Sequence, residues 1–224
     1  MNLLKTPVTA FIISLFVVAC GGDKSTTKTA STGSTTSSDN DSDDESVMHR
    51  MPTGEQIDDA YKAILNKADV DDPELMEVYI NLSRSIANPA SDRAHLMMQF
   101  VSPDDKNKIV LYRYDFGRKQ VEGPQPVTLS SGLGAKEEFI DTYAEFKDVL
   151  FKKTAIMDFD EADKLYEQAI AKSGYAPADC YVDLLQFKYF PRGGLRGDVS
   201  VQSTRSTGAS RHLMVDKAGE ATLD

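Results

Sequence analysis

The chain has 224 residues, with 25 Lys and Arg against 35 Asp and Glu, a formal net charge of −10 and no Trp. This length holds one or two small domains, and a 41% hydrophobic fraction supplies enough apolar surface for a core. The acidic balance excludes unaided nucleic-acid binding, which needs a basic footprint, and two Cys exclude a disulfide-rich scaffold.

The N-terminus reads as an export signal. Lys5 supplies a positive start, and Val8 to Ala19 is an apolar run of twelve residues interrupted by Thr9 and Ser14. A membrane-spanning helix needs about 20 apolar residues, so this run is too short to span and fits a cleaved signal. The run ends in Val17-Val18-Ala19-Cys20-Gly21, which resembles the lipobox of bacterial lipoproteins: an aliphatic residue, a tolerant position, a small residue, then Cys. The resemblance implies cleavage between Ala19 and Cys20 and acylation of the Cys20 thiol. Acyl chains then hold the protein on a bilayer, each buried CH₂ contributing about 0.8 kcal/mol. Gly21 rather than Asp after the Cys implies delivery to the outer membrane of the cell envelope, on its periplasmic face or at the cell surface.

Residues 20–50 read as a lipidated Cys followed by a disordered tether. From Gly21 to Ser46 there is no large apolar side chain, and Ser, Thr, Asp, Lys and Gly dominate; such a segment cannot offset its ordering entropy. At roughly 30 residues its root-mean-square reach is about 30 Å. Asp39, Asp41 and Asp43 match the start of a calcium loop, but Asp44 stands where Gly is needed and Arg50 where a bidentate Glu is needed. The segment reads as a solvated spacer. Residues 51–224 carry 21 basic and 29 acidic side chains.

The folded part reads as α+β: two related helix-plus-antiparallel-sheet units, 51–131 and 158–224, joined by a helix within 132–157. Thr53 and Gln56 form a capping box, and Ile57, Ala60, Tyr61, Ile64, Leu65 and Ala68 follow at helical period. Asp69 to Pro73 closes that helix. Alternating sets then predict strands at Met76–Leu82, Ala94–Phe100 and Val110–Phe116, and another around Val127–Leu129. Lys136–Leu150 reads as a helix on the stripe Phe139, Ile140, Tyr143, Phe146, Val149 and Leu150. In the second unit Asp158 and Glu161 resemble a capping box, Ala162, Leu165, Tyr166, Ala169 and Ile170 form a helical stripe, and Ser173-Gly174 stops it. Strands follow at Tyr181–Phe190, Val199–Ser203 and Leu213–Val215. Tyr61 falls on Tyr166 and Lys67 on Lys172 at an offset of 105, and Arg93 falls on Arg196 and Gln99 on Gln202 at an offset of 103, which predicts an internal duplication.

Each unit, and the ending Val215-Asp216-Lys217-Ala218-Gly219, is similar to PepSY-like and β-lactamase-inhibitor-protein-like domains. That resemblance implies an envelope protein that binds or inhibits other proteins without catalysis.

The side chains suggest no catalytic set and no cofactor. His49, His95 and His212 lack companions at metal-ligand spacing. Cys180 begins an apolar strand and reads as a buried, inert thiol. Ser130-Ser131-Gly132-Leu133-Gly134 lacks the lysine of a phosphate loop; Arg192-Gly193-Gly194 reads as a hairpin loop, and Asp158 and Asp160 as helix-start carboxylates. The binding candidates are Arg192, Arg196 and Arg205, which place positive charge on an acidic domain, together with Tyr79 and Tyr112, since exposed Tyr near Arg typifies interface hot spots. Tyr114, Phe187 and Tyr189 complete the aromatic content of the strands. The sequence therefore predicts a non-catalytic envelope lipoprotein that meets the bilayer through acylated Cys20 and a protein through its sheet. A hydrolase or envelope-modifying enzyme and a self-associating structural lipoprotein are the alternatives.

Overall fold

The computed structural model describes residues 48–85, 87–131, 138–190, 193–206 and 208–223. Ala19, Cys20, tether residues 21–47 and Arg192 lie outside the described residues; 48–50, expected to belong to the disordered tether, are instead seated on the fold, Met48 against the core and His49 beside Asp92. Helix α1 spans Gly54–Ala68; its capping box is formed as the sequence implies, Thr53 accepting from the Gln56 N–H while the Gln56 side chain accepts from the Thr53 N–H. Asp69 ends it in the left-handed region at φ 56°. Strands β1 (Leu75–Ser83), β2 (Arg93–Val101), β3 (Ile109–Asp115) and β4 (Gln120–Val127) then run antiparallel, each beside the one before. A ribbon of β5 (Leu129–Ser131) and β6 (Glu138–Ile140) follows, then the one-turn helix α2 (Tyr143–Phe146). Helix α3 (Ala162–Ser173) leads into β7 (Cys180–Phe190), β8 (Gly194–Ser203), β9 (Ser210–Val215) and β10 (Ala221–Leu223).

The result is α+β. Eight strands form one antiparallel sheet in the order β10-β9-β8-β7-β1-β2-β3-β4. The two four-strand runs join at its centre, where β1 pairs with β7 and Ile80 lies opposite Leu185. These two residues are 105 positions apart. The same offset relates the buried faces of the helices: Ile57, Ala60, Tyr61, Ile64 and Ala68 in α1 correspond to Ala162, Leu165, Tyr166, Ala169 and Ser173 in α3. In the next strand out, Leu96 faces Ile80 and Val199 faces Leu185, an offset of 103.

Both helices cover the same side of the sheet. Strand alternation sends Val78, Ile80, Leu96, Met98, Leu185, Phe187, Val199 and Leu213 into one continuous core with Ile57, Ile64 and Leu165. Two glycines permit the closest approaches. A Cβ on Gly54 would sit 2.3 Å from the Phe159 carbonyl oxygen, and one on Gly197 would sit 2.7 Å from the Phe187 ring. Gly54 seats the start of α1 against the 3-10 turn Phe159–Glu161, and its N–H donates to Asp163 Oδ2 at 3.0 Å, tying the two halves together.

Three expectations are corrected. The helix over Lys136–Leu150 does not form. Glu138–Ile140 is strand, and Tyr143–Phe146 is a single turn begun by a Thr142/Glu145 capping box. Its apolar stripe serves a second, small core: Phe146, Ile140, Tyr143, Val149 and Leu150 gather with Met76, Ile109 and Leu129. Met76 reaches that core because a bulge between Leu75 and Glu77 turns it out of the main one. Second, Asp158 caps the 3-10 turn by accepting from the Asp160 N–H, and α3 starts one turn later at Ala162. Third, the C-terminus adds strand β10 beyond Val215. It turns back through Asp216, whose Oδ1 accepts from the N–H groups of Ala218 and Glu220.

Candidate functional site: the uncovered face of the sheet

With α1 and α3 on one side, the central strands present their other side chains on the opposite face; α2 and the β5–β6 ribbon pack on one end of it, and no helix among the described residues covers the rest. Register builds that face in rows. Tyr79 on β1 lies between Met97 on β2 and Gln186 on β7; beyond them stand Arg113 and Glu122 on one flank and Asp198 and Met214 on the other. The next row holds Glu77 between Gln99 and Lys188, and the row on the other side holds Asn81 between His95 and Leu184. Tyr79, Met97, Leu184 and Met214 are half-buried, so apolar surface lies between charged groups.

Those groups are mostly matched. Arg113 Nη2 lies 2.5 Å from Glu122 Oε2, His212 Nδ1 3.2 Å from Asp198 Oδ2, and His95 Nε2 3.5 Å from Asp115 Oδ2. Glu77 is 7% exposed. Gln99 Nε2 donates to its Oε2 at 2.7 Å, Gln186 Nε2 donates to Oε1, and Lys188 Nζ is 3.6 Å from Oε1. Burial pushes the Glu77 carboxyl above the ordinary carboxylate range, against the opposing pull of Lys188 and Gln186. Burial, and then the charge of Glu77, push the Tyr79 hydroxyl up to about 12, so it remains a donor. Burial and Arg113 lower His95, which is therefore uncharged at neutral pH despite Asp115. Four buried polar atoms on this face have no hydrogen-bond partner among the described residues: Asn81 Oδ1, Gln99 Oε1, Arg113 Nε and Asp183 Oδ1. Burial also raises the Asp183 carboxyl, although Ser200 hydrogen-bonds to it.

The expected binding residues divide. Tyr79 stands at the centre of the face. Arg196 lies on it toward the β7–β8 turn, its Nη1 2.9 Å from Met214 Sδ and its guanidinium 4.5 Å above the Phe190 ring. Arg205 lies off the face in the β8–β9 connection, paired with Asp179 at 2.8 Å. Tyr112 is withdrawn as a binding residue. It points to the helix side, 4% exposed, with its ring stacked 5.3 Å from Phe100. Phe187 is in the core, Tyr114 packs against it, and Tyr189 is 38% exposed. Met97, Asn81, Gln99 and Arg113 were missed as members of the face, though each occupies the polar phase of a strand whose apolar phase was read as core.

A cavity of about 510 Å³ lies between the β2–β3 turn and the β5–β6 ribbon, lined by Asn107, Ile109, Val127, Leu129, Phe139 and Ile140. Phe139 there is 69% exposed. Among the described residues no group of three or more His, Cys, Asp or Glu is placed to hold a metal ion, and no helix is long and apolar enough to cross a membrane.

The chain matches no protein-family model, no curated protein and no solved structure.

Proposed function

We propose that this chain is an envelope lipoprotein, anchored through acylated Cys20, whose folded part is a non-catalytic binding module that meets another envelope protein through the uncovered sheet face. Where that face covers a partner's own working surface, binding inhibits it. The observation that carries this reading is the face itself. An eight-stranded sheet leaves most of one side without a long helix among the described residues, and that side combines half-buried Tyr, Met and Leu at its centre with Arg113 on its flank and Arg196 toward the β7–β8 turn. Solvated sheet faces are normally polar throughout. Tyr and Arg set in apolar surroundings are typical of interface anchors.

We also propose that the two halves arose by duplication. A single offset of 105 relates the buried helix positions and the central strand pair. Such a pair of helix-plus-sheet units supports the fold-level likeness to PepSY-like and β-lactamase-inhibitor-protein-like domains.

The test is photo-crosslinking in living cells from Tyr79 and Met97, with Lys62 and Lys164 on the helical layer as controls, and with Cys20→Ala as the untethered comparison. One dominant envelope protein captured from the sheet positions, absent from the helical ones and reduced in the untethered chain, supports the reading. Capture from the helical positions alone, or none from the sheet, refutes it.

A further inference from the structure

The charged side chains are sorted along the strand direction. At one end of the sheet β1, β3 and β8 finish and β2, β4, β7 and β9 begin. The segments gathered there, 48–50, 84–93, 115–120, 176–181 and 202–211, carry seven Arg and Lys against three Asp among the described residues. The three acids are withdrawn: Asp92 is 1% exposed, Asp115 is 4% exposed, and Asp179 is tied to Arg205. The cations Arg50, Arg84, Arg118, Lys119, Arg205 and Arg211 are exposed. The opposite end is the reverse. Segments 69–74, 102–108, 141–148, 193–196 and 216–220 carry eleven Asp and Glu against five Lys and Arg among the described residues. A chain of net charge −10 thus has a basic rim at one end of its sheet.

The N-terminal stem joins the fold at that same rim. His49 Nδ1 is 3.0 Å from Asp92 Oδ2, where Arg84 Nε also binds at 3.3 Å. Met48 packs against the core and Met51 is 6% exposed. The chain that begins at Cys20 therefore reaches the folded part through its most basic surface.

We propose that this basic rim lies on the anionic phospholipid surface of the bilayer that holds the acyl anchor. The proposal rests on the lipoprotein reading for the bilayer's identity, and on the rim alone for the lipid class. Screening decides why net charge does not forbid it. At physiological salt charges are felt over about 8 Å, whereas a nine-residue strand such as β1 is about 30 Å long. The rim senses the lipid surface; the acidic end does not. An acyl anchor fixes distance without fixing orientation, and the rim supplies the orientation. The strands then stand upright on the bilayer, and the uncovered face looks sideways at neighbouring membrane proteins.

The test uses the chain from residue 20 with Cys20→Ala, made without residues 1–19 so that neither an acyl group nor the apolar run contributes, sedimented with phosphatidylcholine vesicles with and without phosphatidylglycerol at physiological salt. Partition into the anionic vesicles alone, reversed by salt, is expected. Arg211→Gln and Lys119→Gln should each lower it about fivefold, while Lys62→Gln and Lys164→Gln on the helical layer leave it unchanged. Equal partition into both vesicle types, or insensitivity to the rim substitutions, overturns the proposal. So does binding that appears only after the carboxylates of residues 39–45 are converted to amides, because the chain's own acidic stretch then occupies the rim. The anchor is tested separately by the mass of the native N-terminus: a missing diacylglycerol defeats the lipoprotein reading and leaves the vesicle result to stand on its own.

Discussion

Replacing Gly54 by Ala sets two effects of opposite sign against each other. In an isolated helix the change favours folding by about 1 kcal/mol. Here the added methyl would lie 2.3 Å from the Phe159 carbonyl oxygen and 2.9 Å from Asp160 Cα, both backbone atoms. Relief requires α1 to withdraw from the Phe159–Glu161 turn by about 1 Å, since ordinary contact begins near 3.4 Å. That movement stretches the Gly54 N–H to Asp163 bond, a charge-assisted bond contributing about 2 kcal/mol. It also parts the edge-to-face pair of Tyr61 and Phe159, centroids 5.7 Å apart, which adds about 1 kcal/mol, and it costs overpacking strain of about 1–3 kcal/mol. The expected net loss is about 4 kcal/mol, a fall in melting temperature of roughly 8–16 °C for a domain of this size. Urea unfolding followed by far-ultraviolet circular dichroism measures it; Tyr fluorescence is a second probe in a chain without Trp. A Gly54→Ala chain as stable as the parent would show that the helix start is not seated on the turn and that propensity alone decides.

Asp92→Asn should destabilise the fold by about 2 kcal/mol at neutral pH, because it removes the buried anion that bonds to Arg84, His49 and the Ser85 N–H. Burial alone would raise Asp92, but bonds from His49, the Ser85 N–H and Arg84 outweigh it and hold the carboxyl below its ordinary value of 3.8. Its contribution is therefore present above that value and lost as pH falls through the lower folded value; urea midpoints of the two chains should converge in acid. Tyr166→Phe should raise stability by about 1 kcal/mol, because its buried hydroxyl lacks a partner among the described residues; a lower urea midpoint would refute this. Cys180 is buried and burial raises its thiol above the ordinary range, so a thiol reagent should label it only as denaturant unfolds the chain. Labelling at the rate of a free thiol in native buffer would contradict the placement.

The parts of the fold that were legible in the sequence are those where local chemistry and burial agree. The Thr53/Gln56 box and the stripe from Ile57 to Ala68 are helical on both counts. The alternation in Met76–Leu82 and Ala94–Phe100 gives both strands and both faces once Ile80 and Leu96 are seen to be paired. The segment 136–150 misled because its apolar spacing suits a helix while its burial is set by Met76, Ile109 and Leu129 from elsewhere in the chain. A local signal was present: Thr142 and Glu145 spell a capping box that places a helix start in the middle of the supposed helix. Tyr112 misled for a different reason. Its strand carries apolar residues on both phases, Leu111 as well as Val110 and Tyr114, so alternation alone does not say which phase faces the helices; Phe100 on the neighbouring strand decides it. Of the uncovered face only Tyr79 and Arg196 were legible; how its rows are assembled was not, because that depends on β1 meeting β7 across more than a hundred residues.

That central pairing also sets an order of events during synthesis. When β1 through β4 have left the ribosome, β1 has β2 on one side and an unsatisfied row of N–H and C=O groups on the other, and it keeps that open edge until β7 is made. Val78 and Ile80 lie along it, so the nascent half-sheet is an apolar template for strand addition. The partner it awaits resembles itself in register, centred on Ile80 and Leu185, and a second nascent half could fill the same position. A fragment ending before Cys180 should therefore self-pair along β1 into a two-chain sheet.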